Sequence, residues 1–218
     1  MQYNNLFDKI FESKTKLRIL RLLSGCNGTL KYSGYEIAKQ LKISTSTATI
    51  LLNDLVNENI LKKEIAGNAH FFFYNLNNYI VENVLTPMFS EEAKIVKISA
   101  EYVITNIKIP IISLMVFGSV IRGEDKTESD FDICVIAGNE KLKHKIEKEL
   151  LDLADNFYNK FGKSLAPYIL TIQELRQKYE EKTGVIKEII KDGKLIKGDS
   201  LIKLLAKEIK NGSKKNKF

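Results

Sequence analysis

The sequence predicts an α+β protein of two modules, a small helix-rich module closed by a hairpin and then a small mixed sheet with flanking helices. Three observations carry this. Apolar residues recur at helical spacing up to about residue 57 and then give way to two strand-like runs around a turn. Beyond residue 106, continuous apolar runs of strand length alternate with amphipathic helices, the order of a small sheet covered by helices. Charge is also unevenly spread: residues 1–80 hold 10 Lys/Arg against 6 Asp/Glu, residues 81–200 hold 18 against 20, and residues 201–218 hold 6 against 1. The net charge of +7 therefore sits at the two ends, which suits contact with a polyanion or an acidic partner there and not in the middle.

The 218 residues can bury a real core, and 44% apolar with 28% charged residues is ordinary for a globular protein. No apolar run approaches the ~20 residues of a membrane span, and the start lacks a signal-peptide pattern, so a cytoplasmic protein without membrane contact is expected. Cys26 and Cys134 are far apart, and Cys134 lies in an apolar run, which reads as a buried reduced thiol. Two histidines without Cys/His spacing exclude a structural zinc site.

The first helix is carried by Leu17, Ile19, Leu20, Leu22 and Leu23 and ends at Ser24-Gly25. A short helix from Tyr35 to Leu41 turns its Ile37, Ala38 and Leu41 inward. After a Lys42-Ile43 turn, Ser44 caps a longer helix, Thr45 to Asn57, with Ala48, Leu51, Leu52 and Leu55 on one face. Ile60–Ile65 and Phe71–Tyr74 are strand-like, with Ala66-Gly67-Asn68 as the turn between them. Residues 79–106 read as a helical connector with a break near Pro87. Strands follow at Ile111–Phe117, Phe131–Ile136 and Leu165–Thr171, with an amphipathic helix at Lys141–Phe161 and one or two helices from Ile172 to Lys191. The segment from 201 on is a basic helix and tail, whose Gly/Ser/Lys-rich end reads as frayed.

Helix, short helix, turn, helix and hairpin is the order of a winged helix-turn-helix, and residues 1–78 resemble that family in pattern along their length. The resemblance implies duplex DNA as a partner. Ser44, Thr45, Ser46 and Thr47 at the start of the third helix can hydrogen-bond to phosphates or bases, and Lys62 and Lys63 on the hairpin can contact the DNA backbone. Residues 44–58 contain no Lys or Arg, however. A capped, solvated helix start in a module used for homodimerisation or protein contact therefore stays open. His70 and His144 read as surface residues, and Phe71–Tyr74 as a half-buried strand packing a small core.

The stretch Leu114 to Ile136 carries the chemistry. An apolar strand ends at Gly118-Ser119, where glycine allows close backbone approach to a ligand and the Ser119 hydroxyl adds a donor. Ten residues separate Ser119 from Asp130-Phe131-Asp132 at the start of the next strand. Strand side chains alternate, so Asp130 and Asp132 share a face. Two carboxylates beside a phosphate pocket form a hard-oxygen site suited to Mg²⁺ or Mn²⁺.

An apolar strand, Gly-Ser, a spacer and Asp-x-Asp in a second strand resembles the signature of the DNA polymerase β-like nucleotidyltransferase superfamily. Arg122, Gly123, Glu124 and Ser129 are similar to its minimal nucleotidyltransferase branch, which includes antitoxin-type proteins. The resemblance implies a nucleotidyltransferase domain over residues 107–200. In it Gly118, Ser119 and Arg122 would bind the triphosphate of an NTP such as ATP, and Asp130 and Asp132 would be the catalytic metal ligands; Arg122 could instead hold its loop by pairing with an acid. It implies transfer of a nucleoside monophosphate to an acceptor hydroxyl on a protein (a partner toxin among them), an RNA end or a small molecule. One departure bears on catalysis: active members bring a third carboxylate from a later strand, and Ser164–Thr171 contains no acid. A DNA-binding regulator whose second domain senses nucleotide without turning it over is the competing class.

Overall fold

The computed structural model describes residues 4–206. The chain divides into two compact units, one ending at Lys94 and the other beginning at Ile95, each with its own core.

In the first unit, α1 (Leu6–Ile10) precedes α2 (Lys14–Leu23), which starts where the Ser13 hydroxyl accepts the Lys16 amide. The Lys16 side chain is 1% exposed; its ammonium donates to Asp54 at 2.7 Å and to the Lys9 carbonyl at 3.1 Å, and pairs with Glu12. Strand β1 (Tyr32–Ser33) leads into α3 (Gly34–Leu41) through a reciprocal cap between Ser33 and Glu36. Lys42, in the left-handed region at φ 54°, makes the turn to α4 (Thr45–Asn57). Next, β2 (Leu61–Ala66) and β3 (Ala69–Tyr74) form a hairpin turning at Gly67, and β3 lies between β1 and β2 in an antiparallel sheet. Ile19, Leu20, Leu23, Ile37, Leu52 and Phe72 fill the core. Helix-turn-helix followed by a hairpin is a winged helix-turn-helix fold. Tyr74 locks it: its buried hydroxyl donates to the Leu20 carbonyl at 2.8 Å.

The segment beyond the hairpin holds a π-helical turn at Val81–Leu85 and then α5 (Thr86–Asn106). In the second unit β4 (Ser113–Val116), the single-turn α6 (Ser119–Arg122), β5 (Phe131–Ala137), α7 (Glu140–Phe161) and β6 (Leu165–Thr171) follow in order. Then come α8 (Ile172–Glu180), α9 (Gly184–Asp192) and β7 (Lys194–Gly198), and residues 201–206 are helical. The sheet order is β6-β5-β4-β7, with β4 antiparallel to both its neighbours and β5 parallel to β6. Pleating divides its side chains between two cores. Leu114, Val116, Phe131, Ile133 and Val135 pack with Ala100 and Val103 of α5 and with Ile146, Leu150 and Phe157 of α7. Met115, Phe117, Cys134 and Ile136 pack with Leu175 of α8, with Ile186 and Ile189 of α9, and with Leu201. The α+β architecture is thus as the sequence predicts.

Four details differ from the sequence reading. Pro87 does not end its helix: the backbone runs helical through residues 79–106, and the π-helical turn at Val81–Leu85 just before the proline is the irregularity that accommodates its ring and its missing N–H. Two short elements, α1 and β1, were not anticipated, being too short to show a period. Strand β7 is the fourth: an edge of Lys-Leu-Ile-Lys with little apolar signal, pinned by the buried Ser113 hydroxyl donating to the Asp199 carbonyl at 2.6 Å. The expected frayed tail lies outside the described residues. Among the described residues, no helix is long and apolar enough to cross a membrane.

Tyr74→Phe tests the lock. The Leu20 carbonyl also accepts from the Ser24 amide, so it stays satisfied, and the loss should be about 1 kcal/mol, read as a modest downward shift of the first unit's unfolding transition. An unchanged transition would remove the hydroxyl from the account.

Candidate functional site

The end of β4 and the start of β5 stay paired through the Phe117 amide, which donates to the Asp132 carbonyl at 3.1 Å. Gly118 follows at φ 79° and ψ −161°, open to glycine and strained for other residues. A Cβ there would lie 2.1 Å from Asp132 Oδ2, so backbone and carboxylate are already in contact. Ser119 opens α6, and the first amides of a helix have no intrahelical acceptor. Gly123, at φ 67°, ends it, and the Glu124 amide closes the turn onto the Ser119 carbonyl at 3.0 Å.

Phe131 is buried in one core and Cys134 in the other, so the pleat puts Asp130 and Asp132 on the sheet face covered by α8 and α9. The spacer before them is held at its base by Lys163, a residue the sequence reading did not single out. Its ammonium donates to the carbonyls of Lys126 at 3.0 Å and Ser129 at 3.2 Å and pairs with Asp125 at 2.9 Å. Ser129 contributes a local turn, its hydroxyl accepting the Lys126 amide.

Arg122 is shared by two acids. Its Nε donates to Glu124 at 2.8 Å, and its Nη1 donates to Glu188 of α9. Both acids raise the guanidinium above its ordinary value, Glu124 first. Arg122 thus pairs with acids of its own chain. Glu188 was missed altogether: α9 reads as an ordinary amphipathic helix, and only its seating on the Asp132 face through Ile186 and Ile189 brings that acid here.

The Asp132 carboxyl is pushed above its ordinary range by partial burial first, then by the charges of Asp130 and Glu188, with Arg122 opposing. Among the described residues, neither the Asp130 nor the Asp132 carboxylate has a hydrogen-bonding or ion-pairing partner. Two unpartnered carboxylates on one face, one half-buried against backbone, fit a hard divalent cation that would also take phosphate oxygens or water. Among the described residues, no three His, Cys, Asp or Glu side chains converge at ligating distance. Strand β6 supplies no acid, and Glu174 just beyond it is engaged. It caps α8 through the Thr171 amide and pairs with Lys143 at 2.6 Å; against the burial that would raise it, Lys143 and Thr171 hold its carboxyl below the ordinary range.

In the first unit, Ser44 is the cap of α4. Its hydroxyl accepts the Thr47 amide at 3.0 Å and hydrogen-bonds with the hydroxyls of Ser46 at 2.9 Å and Thr47 at 2.7 Å. Thr45 instead lines a groove of about 360 Å³ between helix and hairpin, together with Thr49, Asn53, Lys63 and His70. Lys62 and Lys63 are both exposed but alternate in direction, so Lys63 joins the groove and Lys62 does not. His144 is exposed, and the buried Cys134 thiol is pushed up to about 12 by burial.

The raised Asp132 carboxyl has a stability consequence. Its ionisation costs the fold, a cost absent below the unfolded-state value of ~3.9 and fully present once pH rises through the higher folded-state value. Asp132→Asn should therefore raise the melting temperature at pH 7, with the gain shrinking as pH falls toward 4. A lower melting temperature at pH 7 would make the carboxylate structural.

No curated protein matches this chain. Among solved structures, HlyU from Vibrio cholerae N16961 is 16% identical, over 43% of this chain and 96% of its own, with a TM-score of 0.34. A toxin–antitoxin solved with AMP-PNP is 14% identical, over 54% of this chain and 86% of its own, with a TM-score of 0.33. A mutant of the toxin–antitoxin MntA–HpeT is 12% identical over the same shares, with a TM-score of 0.31. Residues 94–200, which hold every residue of the constellation from Gly118 to Glu188, match the family described as Polymerase beta, Nucleotidyltransferase. That part of the chain is a domain of the polymerase β-type nucleotidyltransferase family.

Proposed function

We propose that the second unit is a Mg²⁺- or Mn²⁺-dependent nucleotidyltransferase that moves a nucleoside monophosphate from an NTP to an acceptor hydroxyl, in a cytoplasmic protein whose first unit binds duplex DNA. The observation that carries the transferase reading is the unpartnered Asp130 and Asp132 on one face at the start of β5, with Asp132 against the Gly118 backbone. Asp130 and Asp132 would hold the cation, which when bound would neutralise phosphate charge and polarise the transferred group. Gly118 lets the chain approach the phosphates, Ser119 offers a hydroxyl donor, and Arg122 offers a planar cation. Lys163 keeps the spacer, and with it Asp130, in place. As the acceptor oxygen bonds the α-phosphorus, the bond to the pyrophosphate leaving group breaks and the hydroxyl proton passes to solvent water.

The acceptor is a hydroxyl of a protein, an RNA or a small molecule. One observation favours a second reading, a DNA-binding regulator that senses nucleotide: β6 carries no carboxylate, and Glu174 is consumed in its cap.

Incubation with Mg²⁺ and each α-labelled NTP, with host lysate and RNA as acceptors, separates the readings. Label transfer lost in Asp130→Asn/Asp132→Asn is expected. Metal-dependent NTP binding without transfer to any acceptor would favour the sensor, and no binding would sink both. For the first unit, replacing Lys62 and Lys63 with Ala should weaken binding to duplex DNA and lower the slope of log K against log salt by about 1, the one phosphate contact that Lys63 offers from the groove. An unaltered slope would remove the hairpin from the interface.

A further inference from the structure

Two of the three nitrogens of the Arg122 guanidinium, Nε and Nη1, are held by carboxylates of its own chain, one from the turn it ends and one from α9. Glu124 lies two residues away and pairs with it locally. Glu188 is sixty-six residues away and comes from a different element, on the sheet face that carries Asp130 and Asp132. Both Arg122 and Glu188 act electrostatically on Asp132, one favouring its ionised form and the other opposing it. The Arg122 and Glu188 side chains remain about one-third exposed, at 33% and 35%, so their pairing is open to a competitor in solution.

A planar guanidinium bonds a phosphate as well as it bonds a carboxylate, and a polyphosphate brings several negative charges where Glu188 brings one. A Glu188 carboxylate that loses Arg122 keeps its helix position and its proximity to Asp132. Left unpaired it would repel Asp130 and Asp132; beside a divalent cation the same three charges become favourable. The Arg122–Glu188 pair thus stands between an anion site and a cation site, and holds a group that each one needs.

We propose that Arg122 and Glu188 form an exchangeable latch. A polyphosphate that captures the Arg122 guanidinium releases Glu188 toward Asp132, where it joins Asp130 and Asp132 in holding a divalent cation. The two ligands then reinforce each other through one broken ion pair. This rests on the reading of Asp130 and Asp132 as cation ligands, and it makes Glu188 a ligand only in the released state. It also accounts for a site that has no acid on β6: the third carboxylate is carried by α9 and withheld until a phosphate chain is bound.

A double-mutant cycle read by direct binding tests the latch without any turnover. Free Mn²⁺ is measured by electron paramagnetic resonance in the parent, Arg122→Gln, Glu188→Gln and the double variant. Arg122→Gln frees Glu188 and should tighten Mn²⁺ binding by about twofold to fivefold, the worth of a partly exposed ion pair. Glu188→Gln alone should change it little, and adding it to Arg122→Gln should remove most of the gain. In a second arm without metal, Glu188→Gln should tighten binding of inorganic triphosphate to a similar degree, and Arg122→Gln should weaken it. A gain in Mn²⁺ affinity that persists undiminished in the double variant would overturn the latch, since it would then be only the loss of a nearby positive charge. Triphosphate binding indifferent to Glu188→Gln would overturn it as well. Asp130→Asn/Asp132→Asn keeps the two failures apart. If that pair abolishes Mn²⁺ binding while Glu188 proves silent, the latch falls and the metal-site reading stands. If Mn²⁺ does not bind the parent at all, both fall.

Discussion

The Asp132 carboxylate lies against the backbone at Gly118, so close that a single methyl group there would overlap its oxygen. The turn from β4 through α6 is built around that contact. The Phe117 amide fixes the end of β4 to the start of β5, which sets how far the chain can drift before it turns. The positive φ of Gly118 then swings the chain into α6, and Gly123 ends that helix after one turn. A side chain at Gly118 would have to displace the carboxylate, unpair the strands or distort the turn, and each would move the first amides of α6 away from the acids. Glycine is required here twice over, by conformation and by space.

The same contact carries an electrostatic cost. A half-buried carboxylate beside a second one is disfavoured by desolvation and by repulsion, and the opposing charge of Arg122, itself held by two other acids, does not offset this. Elsewhere the unit settles its charges economically: Lys163 answers Asp125 and two carbonyls, Lys143 answers Glu174, and Glu149 accepts the amides of Lys108 and Ile109. Against that background an uncompensated pair of acids stands out as a place where stability is given up. Such sites are where a bound cation has most to offer, because it converts repulsion into coordination.

Much of this was legible in the sequence, and the reason lies in periodicity. Asp130 and Asp132 interrupt an apolar strand at a spacing of two, which by itself puts them on one face, and Gly118-Ser119 closes the strand before it. The cap Ser44 and the span of α4 were equally readable, because a hydroxyl before an apolar helical stripe has one main use. What the sequence hid was tertiary. Glu188 looks like any acid on a solvated helix face, and its meaning comes from Ile186 and Ile189 laying α9 on the face of the aspartates. Lys163 is one of many lysines until the crossover from α7 to β6 sets it beside the spacer. Strand β7 escaped because an edge strand buried little and rich in lysine has almost no apolar pattern to read. Pro87 misled because its effect depends on the backbone before it, and the π-helical turn at Val81–Leu85 lets the helix run on past the ring.

The first unit shows the opposite balance, a fold plainly written and a surface that the hydroxyl count overstates. Of the four Ser/Thr residues that open α4, three spend their hydroxyls on one another around the Ser44 cap, so they stabilise the helix start before they can meet any ligand. Lys31 on the opposite side of the sheet is already paired with Glu64. On the DNA-binding reading, the helix itself then offers little attraction for phosphates, and the work passes to the groove, where Thr45, Thr49 and Asn53 face Lys63 and His70 across about 360 Å³. Neutral groups that hydrogen-bond to base edges, flanked by one hairpin lysine, give an interface with shallow salt dependence and affinity drawn mainly from fit. A steep dependence on salt would need cations that α4 does not have, so the shape of that curve bears directly on whether the groove is the surface that meets DNA.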